Sequence, residues 1–597
     1  MKTAKPKNNE KIVYKTIVLS KRGDITMNLF PDDIFNLADI AQNVSRKDPN
    51  RIAVIDLDGF DFAGKRRYKY YTYKELSTDV ESVACGLLDM GIKERTRIVF
   101  MVPPSYEACV IGLALTRVGA TMVWIDPSVG WMNIAERLKR VNIEAFLGLS
   151  IVHFGRFIFG WGPRSLRKLI VIGKPGFPGA YTIDSLRRKA PEQPALPKVS
   201  SDDPAAILYT TGSTGPAKPA MYLHRNLCQL YRNAHYSWHF DLDKEVPVDL
   251  AVFPAFLFVP ISAGGTMVVP PINFVRQGPA DVDPQALLEV INSCGVKSMF
   301  GSPVLLEKMG RYAVDNGIIT PSLKHIIGAG DVIKAPVEKL LLEMIGKNGG
   351  VYADYGATEA MPSAELNAEE TLNDTWSKTV QGAGICVGQP LPGVHFRIIS
   401  IIDCPIKNMD QAKILKVGDI GEIIVQGNHI SPYYFNAEES TLKNKIKDIN
   451  GKTWHRFGDA GYLDEQGRLW VCGRVSHRVI TSTGPLFPLI CEAIFETHSK
   501  VKRSGLVGVP RKEGEMPVIC IELKHEYRST DMVTLRAELL TLAAEHEPTR
   551  SIKHLLFTTS LPVDPRHNSK IERPILAKWA AKQLRKQHGS AHTEISE

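Results

Sequence analysis

The sequence predicts an α/β fold with largely parallel sheets, and three observations support this. From Ile34 to about Val475, short apolar runs alternate with stretches of helical periodicity, which is typical of strands joined by crossover helices. After Leu391 the runs that resemble strands follow one another more closely, which predicts a β-rich subdomain. With 597 residues the chain is also too long for a single hydrophobic core, so at least two domains are expected.

We expect the chain to divide into three parts. Residues 1–33 form a polar, basic N-terminal segment that should be flexible. Residues 34–475 form a large N-terminal domain with parallel-sheet α/β layers and the β-rich subdomain. Residues 476–597 form a small α+β C-terminal domain, which begins just after Gly473-Arg474.

Individual helices and strands are predicted from the spacing of apolar residues and from the positions of turn-forming Gly and Pro residues. In the large domain the predicted strands are Arg97–Val102, Ala120–Ile125, Pro204–Leu208, Val394–Ile402, Gly421–Gln426 and Arg468–Cys472. The predicted helices there are Tyr73–Met90, Tyr106–Arg117, Asp281–Cys294 and Val337–Ile345. The small domain has a β-α-β order, through Val479–Thr481, Cys491–His498, Arg503–Val509, Pro517–Leu523, a helix Asp531–Glu545 and Ile552–Thr558.

Composition favours a cytoplasmic enzyme. A hydrophobic fraction of 44% and a charged fraction of 23% are ordinary for a globular protein. The nine cysteines are scattered without a CxxC pair, which argues against a disulfide framework or a zinc site. The N-terminus has no apolar signal region. A net charge of +9 suits anionic small molecules as well as it suits nucleic acid or membrane surfaces. Nucleic acid is disfavoured, because the basic residues are not interleaved with stacking aromatics in a recognisable module.

The segment Ile151–Trp161 is unusually aromatic but too short to cross a bilayer. Three interpretations stay open for it: part of the core, which we favour, the lining of a pocket for a long apolar substrate, or a shallow contact with a membrane.

The most informative stretch is Tyr209–Lys218, which follows the predicted strand Pro204–Leu208. Its glycines permit positive φ angles and bring backbone N–H groups close to an anion, while its hydroxyls and Lys218 supply further donors and a positive charge. The spacing differs from a P-loop, because Lys218 is followed by Pro219 rather than by Ser or Thr at the start of a helix. Taken alone, the stretch is also compatible with a surface turn.

Four further motifs follow in a fixed order, and each supplies a group that a nucleotide requires. The first offers small residues against which a flat ring can lie. The second combines a stacking ring, a hydroxyl group and a carboxylate suited to Mg²⁺. The third places an aspartate in a tight loop, and the fourth supplies a guanidinium group. The four motifs are Ile326–Asp331, Tyr355–Glu359, Phe457–Tyr462 and Gly473-Arg474, and Lys570 follows near the C-terminus. Each motif is weak alone, but their order over four hundred residues is a strong signal.

With these motifs the chain resembles the acyl-adenylate-forming superfamily, which includes acyl-CoA synthetases, luciferases and peptide-synthetase adenylation domains. The resemblance runs from about Phe35 to about Ala577. It implies ATP and Mg²⁺ as cofactors, and a small C-terminal domain that rotates as a lid between catalytic steps.

The resemblance also implies roles for individual residues. The β- and γ-phosphates would be held by Thr210, Thr211, Gly212, Ser213, Thr214, Gly215 and Lys218. Adenine would lie against Gly328, Ala329, Gly330 and Tyr355, and the ribose would be fixed by Asp459 and Arg474. Thr358 would contact the α-phosphate, Glu359 would hold Mg²⁺, and Lys570 would be the mobile catalytic lysine, with the hinge at Ser476.

The sequence departs from the superfamily pattern at three positions. Ser476 stands where the hinge is usually Asp or Lys, Ser569 replaces the Gly before the mobile lysine, and Pro219 replaces the Gly after Lys218. The first two departures, together with the segments 125–130 and 157–162, are similar to the olefin-biosynthesis β-lactone synthetases. That branch activates a long-chain β-hydroxy acid with ATP and closes it to a β-lactone. A complex with other olefin-biosynthesis enzymes and a peripheral membrane contact stay open.

The resemblance places an apolar substrate pocket at Phe253, Phe256 and Phe258, for which a core strand is the alternative. A base near the β-hydroxyl would help ring closure, and His224, His325 and His567 are candidates by residue type only. A fatty acyl-CoA ligase, a peptide- or polyketide-type loading enzyme and a non-catalytic nucleotide- or lipid-binding subunit remain as alternatives. The presence of Lys218 together with all the other predicted charged site residues argues against the last.

Overall fold

The computed structural model describes residues 34–126, 130–174, 176–187, 195–210, 217–242, 244–347, 349–563 and 570–591. The predicted loosely ordered segment 1–33 lies outside these residues. Within them the chain forms two large mixed sheets, a third sheet that belongs to a β-rich subdomain, and a smaller C-terminal unit. The predicted α/β class with a β-rich subdomain is therefore confirmed. The division at 475/476 stays a prediction.

The first large sheet has eight strands, and its central strands are parallel. Parallel strands buried on both faces carry nearly continuous apolar runs, as Arg97–Met101 and Pro204–Tyr209 do. In spatial order the strands are Tyr433–Tyr434, Pro219–Leu223, Pro204–Tyr209, Thr121–Trp124, Arg97–Met101, Ala145–Leu149, Lys168–Ile172 and Tyr181–Thr182.

The second large sheet has nine strands, parallel in the middle and antiparallel at both edges. In spatial order they are Gln389–Pro390, Ala360–Asn367, Gly350–Ala357, His325–Gly328, Ser298–Gly301, Val248–Leu250, Thr266–Val268, Ile52–Phe60 and Arg66–Thr72.

The sheet of the β-rich subdomain is antiparallel throughout. Its strands are Ile385–Cys386, Leu469–Arg474, Thr453–Leu463, Gly421–Gln426 and His395–Ile399, with Lys445–Lys447 paired to Thr453–Leu463. The C-terminal unit contains a hairpin and a three-stranded sheet, formed by Val479–Thr481 with Gly484–Leu486, and by Val501–Pro510, Glu515–Leu523 and His554–Thr558.

The α-helices connect and cover these sheets, and apolar clusters fill the spaces between them. The α-helices are Leu37–Lys47, Tyr73–Asp89, Tyr106–Arg117, Trp131–Val141, Ser150–Phe159, Ile183–Leu186, His224–Ser237, Phe258–Ser262, Pro284–Cys294, Pro303–Asp315, Ala335–Ile345, Ala368–Glu370, Trp376–Lys378, Glu438–Asn444, Pro488–Phe495, Met532–Glu545 and Arg573–Ala591. No helix of the described residues is long and apolar enough to span a membrane.

Most predicted bounds agree with the structure to within a few residues. The helix predicted over Cys491–His498 begins earlier, at Pro488, because proline is well suited to the first turn of a helix. The strand predicted over Val394–Ile402 is shorter and covers His395–Ile399.

The parallel strands of both large sheets end at one common opening. A cavity of about 1260 Å³ begins there, and residues directly after several strand ends line it, including Ile125, Thr210, Ser302 and Ala329. The carboxyl ends of parallel strands are the usual ligand-binding edge of an α/β sheet. The fold therefore directs several loops of separate origin into one space.

Candidate active site

Two groups of residues line this cavity. The first, called the polar side here, comprises Tyr355, Thr358, Glu359, Asp459 and Arg474. The second, called the aromatic side, comprises Trp238, Phe253, Phe256 and Phe300. Because both groups line the same cavity, one bound molecule or two adjacent molecules can contact both.

Two hydrogen bonds join the ends of the loop that follows strand Pro204–Tyr209. The Thr210 N–H donates to the Lys218 carbonyl at 3.0 Å, and the Lys218 N–H donates to Thr210 Oγ1 at 3.0 Å. Both residues line the cavity. The remaining predicted loop residues, Thr211, Gly212, Ser213, Thr214 and Gly215, lie outside the described residues.

Lys218 is held in a partly desolvated position. Its Nζ lies 5.4 Å from the centre of the Tyr434 ring, and burial lowers its pKa, an effect that the nearby Glu359 opposes. An anion bound beside this ammonium group would interact with it more strongly than it would in bulk water.

Glu359 is a buried carboxylate at the centre of the polar side. The Tyr434 hydroxyl donates to its Oε1, and its Oε2 lies 4.0 Å from His455 Nε2. Among the described residues, no group of three or more His, Cys, Asp or Glu side chains could hold a metal ion. A single carboxylate with an oxygen in the cavity wall is the donor set with which proteins hold Mg²⁺ together with substrate phosphates.

Thr358 lies in the tight turn between the antiparallel strands Gly350–Ala357 and Ala360–Asn367. The hydroxyl of the buried Tyr222 donates to the Thr358 carbonyl at 2.8 Å. This hydrogen bond fixes the turn, so that the turn presents Thr358 and Glu359 to the cavity together.

Asp459 joins the two ends of the polar side. Its Oδ2 accepts from the Tyr355 hydroxyl at 2.7 Å, and its Oδ1 is 3.1 Å from Arg474 Nε. Arg474 also donates to the Phe457 carbonyl at 2.8 Å, and residues 459 and 474 face each other on paired strands. A carboxylate oxygen can accept more than one hydrogen bond, so Asp459 keeps the capacity to accept from two hydroxyl groups of a ligand.

The glycine-rich segment after strand His325–Gly328 is only partly in the cavity wall. Ala329 and Gly330 line the cavity, and Gly330 has a φ of +95°, which favours glycine. Gly328 instead packs against the core, because a Cβ atom there would meet Ile333 Cδ1 at 2.3 Å.

Lys570 and Ser476 also line the cavity. The chain after Lys570 is anchored by Arg573, whose guanidinium forms a buried ion pair with Glu492 and donates to the Leu506 carbonyl at 2.9 Å. The structure therefore brings Lys570 to the same cavity as the polar side, although Lys570 is 96 residues after Arg474 in the sequence, whereas Ser476 follows Arg474 by two residues.

The rings of the aromatic side contact one another closely. The centre of the Phe256 ring lies 5.4 Å from that of Trp238, 5.5 Å from that of Phe253 and 4.9 Å from that of Phe300. Phe258 instead lies in the core next to Trp124. Trp238 and Phe300 were not predicted as site residues, since no motif marks them.

One carboxyl group stands close to the aromatic side. Asp354 lines the cavity, and the Ser237 hydroxyl donates to its Oδ2 at 2.7 Å. Its Oδ1 is buried without a hydrogen-bond partner among the described residues. Burial and the neighbouring Glu365 raise the pKa of Asp354 well above its ordinary value, which favours the neutral acid.

Three histidines were predicted as candidate bases, and the two that the structure describes do not line the cavity. His224 is buried at the start of helix His224–Ser237, where burial lowers its pKa to about 4. His325 is at the opposite end of its strand from Gly328, and His567 lies outside the described residues. Among the described residues, the histidine that lines the cavity is His455, whose Nδ1 is 3.1 Å from the Asn444 carbonyl.

Comparisons with known proteins agree on one group. The family model described as AMP-binding enzyme matches residues 41–435. An olefin beta-lactone synthetase from Stenotrophomonas maltophilia is 35% identical over 562 residues, covering 92% of this chain and 99% of the relative. One from Xanthomonas campestris is 34% identical over 557 residues, covering 92% and 98%.

The fold is also found in solved structures. The crystal structure of ATP-bound MatB from Rhodopseudomonas palustris superimposes with a TM-score of 0.68 at 20% identity, covering 92% of this chain and 99% of that one. At this identity the likeness concerns the fold.

Proposed function

The chain belongs to the AMP-binding enzyme family and is an ATP-dependent acyl-adenylate-forming enzyme, and from this premise we propose that it converts a long-chain β-hydroxy acid to a β-lactone. ATP is consumed, and AMP and pyrophosphate are released. The two relatives named olefin beta-lactone synthetase, which match over nearly their whole length, support this choice of product.

The observation that carries the proposal is the single cavity with two chemically different sides. The polar side offers a carboxylate, a guanidinium and hydroxyl groups of the kinds that bind a nucleotide. The aromatic side offers apolar surface to an acyl chain. An acid activated in such a space stays next to the groups that activated it, and no second site is needed.

In the first half-reaction a carboxylate oxygen of the acid attacks the α-phosphorus of ATP, and pyrophosphate leaves. Negative charge develops on the phosphoryl oxygens, so catalysis depends mainly on positioning and charge neutralisation. We assign Lys570 to the α-phosphate and the leaving oxygen, and Lys218 with Thr210–Gly215 to the β- and γ-phosphates. Glu359 would hold Mg²⁺, which would neutralise phosphate charge when bound, and Thr358 would contact the α-phosphate.

The base and the sugar occupy the rest of the polar side in this proposal. Tyr355 stacks on adenine, which lies along Ala329 and Gly330, while Asp459 accepts from the ribose hydroxyls and Arg474 holds Asp459 in place. The hydrogen bond and ion pair that already fix Asp459 support this assignment, because a preorganised carboxylate loses little freedom on binding.

In the second half-reaction the β-hydroxyl oxygen attacks the acyl carbonyl carbon. The bond from that carbon to the AMP oxygen breaks, AMP leaves, and the hydroxyl proton passes to solvent or to a base. Because the nucleophile is part of the substrate, its effective concentration is high. The mixed anhydride supplies the leaving group that offsets the strain of a four-membered ring.

Asp354 is our candidate for positioning the β-hydroxyl. As a neutral acid it can form one more hydrogen bond through Oδ1, since Oδ2 already accepts from Ser237. A hydroxyl group next to an apolar chain would complete this pair, whereas an acid without the hydroxyl would leave the buried oxygen unpaired at a free-energy cost of about 1–3 kcal/mol.

Two finer points belong to the same proposal. We place the enzyme in the cytoplasm, for which the nine free cysteines are support. We also propose that residues 476–597 rotate as a lid about Ser476, so that Lys570 leaves the cavity after adenylation. The ion pair between Lys334 and Glu496, 2.7 Å across the predicted boundary, would break in that rotation.

The test is an ATP assay with a synthetic long-chain β-hydroxy acid, run with and without CoA, followed by mass analysis of the extracted lipid. The proposal expects AMP formation without CoA and a product lighter than the acid by one water. AMP formation that requires CoA and yields a thioester would contradict it and identify an acyl-CoA ligase. An absence of ATP turnover with every β-hydroxy acid tested would contradict the proposed substrate class.

A further inference from the structure

One helix near the cavity presents an apolar surface to solvent. On helix Ser150–Phe159 the side chains of Ile151, Phe154, Phe157 and Ile158 are exposed, with Phe157 at 81% and Ile158 at 71%. These four residues are called the apolar ridge. Large apolar side chains are seldom clustered on a water-facing helix unless they meet another surface.

The opposite face of the same helix is firmly packed. Gly155 lies under the Trp131 ring, where a Cβ atom would approach the ring to 2.3 Å, and His153 Nε2 is 2.9 Å from the Ile170 carbonyl. Val152 is buried and lines the cavity together with Leu149. The ridge is therefore held outwards by a fixed scaffold, and only the thickness of one helix separates it from the cavity.

The chain segment that contains the ridge is cationic, although the Glu107 carboxylate accepts from the Gly173 N–H at 3.2 Å. Residues 145–183 contain five Lys or Arg residues and no Asp or Glu. Of the five, Arg164, Arg167 and Lys174 are exposed. An exposed apolar ridge in a segment with five positive and no negative charges matches the interface of a bilayer that contains anionic lipids. A protein partner would have to combine an apolar groove with a rim of carboxylates.

We propose that helix Ser150–Phe159 docks this protein on an anionic lipid bilayer, with the apolar ridge in the interfacial layer and the neighbouring cations on the lipid headgroups. Docking would place the part of the cavity wall formed by Leu149 and Val152 next to the phase into which a long-chain acid partitions. This last consequence rests on the proposed function, whereas the docking itself does not.

The experiment is co-sedimentation of the full chain with vesicles, without ATP or acid, so that its result is independent of the proposed activity. Vesicles of phosphatidylcholine alone are compared with vesicles that also contain phosphatidylglycerol. The expected result is binding to the anionic vesicles that weakens at high salt. The double variant Phe157→Ser, Ile158→Ser should bind at least about tenfold more weakly, and Arg164→Gln, Arg167→Gln should lose the preference for anionic vesicles.

The matched control is Val417→Ser, Ile449→Ser, which removes two exposed apolar side chains from the β-rich subdomain. It should bind as the unmodified chain does. Thermal melting checks that all three variants are folded. Absence of vesicle binding by the unmodified chain, or binding that the ridge variant leaves unchanged, would overturn the proposal. Self-association that the ridge variant abolishes, in the absence of vesicle binding, would overturn it in favour of an interface between copies.

Discussion

The two sides of the cavity are built in different ways. On the polar side the two carboxylates are held by other side chains: Asp459 by Tyr355 and Arg474, and Glu359 by Tyr434. On the aromatic side the rings contact one another without directional bonds. The polar side is therefore suited to one ligand in one orientation, whereas the aromatic side can accept chains of different lengths. We expect substitutions on the polar side to lower turnover with every acid, and substitutions near the aromatic side to change which acid is used.

The largest effect is expected for Lys570→Met. Loss of the charge that we propose to lie at the reacting phosphorus should lower the rate of pyrophosphate release by about 10²- to 10³-fold, with little change in the midpoint of thermal unfolding. Stopped assays with a saturating β-hydroxy acid would measure it. Lys578→Met, at an exposed position on helix Arg573–Ala591, is the matched control and should retain full activity. Equal activity in both variants would remove Lys570 from the adenylation step.

A smaller effect, confined to the nucleotide, is expected for Asp459→Asn. The substitution weakens the contacts of residue 459 with Arg474 and Tyr355 and with the proposed ribose hydroxyls. Since a hydrogen bond to a charged group contributes about 1.5–3 kcal/mol, kcat/KM for ATP should fall by roughly 10- to 100-fold while the KM for the acid changes little. Initial rates at varied ATP and varied acid separate the two, with Asp410→Asn, an exposed position, as control. A rise in the KM for the acid alone would contradict the assignment.

Asp354→Ala tests the border between the two sides. The variant should prefer a β-hydroxy acid over the matching unsubstituted acid less strongly than the unmodified chain does. The preference, measured as the ratio of the two kcat/KM values for pyrophosphate release, should fall by about tenfold or more. Asp354→Asn, which keeps a hydrogen-bonding group of similar size, should retain most of the preference. If both acids lose activity equally in Asp354→Ala, the carboxyl group has a structural role only.

The smallest effect on activity, with a clear effect on stability, is expected for Asp249→Asn. Asp249 is buried on strand Val248–Leu250, accepts from the Ser298 hydroxyl at 2.6 Å, and burial raises its pKa to about 7. Between about pH 4 and pH 7 the folded chain therefore binds a proton that the unfolded chain has lost, so this group makes stability fall as pH rises through that window.

The asparagine variant lacks this titration. Its midpoint of thermal unfolding, relative to that of the unmodified chain, should be higher at pH 8 than at pH 4.5. The corresponding change in the difference in free energy of unfolding is at most about 4 kcal/mol. Asp315→Asn at an exposed position is the control. A difference in midpoint that does not change with pH would show that Asp249 is ionised in the folded state.

Sequence motifs mark every residue of the polar side, whereas they mark only Phe253 and Phe256 of the aromatic side. The roles of these residues stay predictions. Phosphate, ribose and metal ions require particular residue types at particular backbone positions, and three residues that we propose to contact the nucleotide or its metal ion, Tyr355, Thr358 and Glu359, stand together in one short motif. Apolar contacts impose no such pattern. Trp238 and Phe300 come from separate elements and cannot be told from core residues in the sequence.

Neighbours in the sequence can also diverge in space. Phe256 lines the cavity whereas Phe258, two residues later, begins helix Phe258–Ser262 and enters the core. Gly328 similarly belongs to the predicted adenine motif but packs against Ile333. In both cases tertiary packing, which the local sequence does not encode, decides which residues of a motif face the cavity.

The most direct test of the central claim uses a β-hydroxy acid labelled with ¹⁸O in both carboxyl oxygens. If the carboxylate is adenylated and the hydroxyl then closes the ring, AMP carries one label, and the lactone keeps one label in its carbonyl group and an unlabelled ring oxygen. Mass analysis of AMP and of the extracted lipid would read both. An unlabelled AMP together with a lactone that keeps both labels would mean that the hydroxyl is the activated group, and would contradict the account.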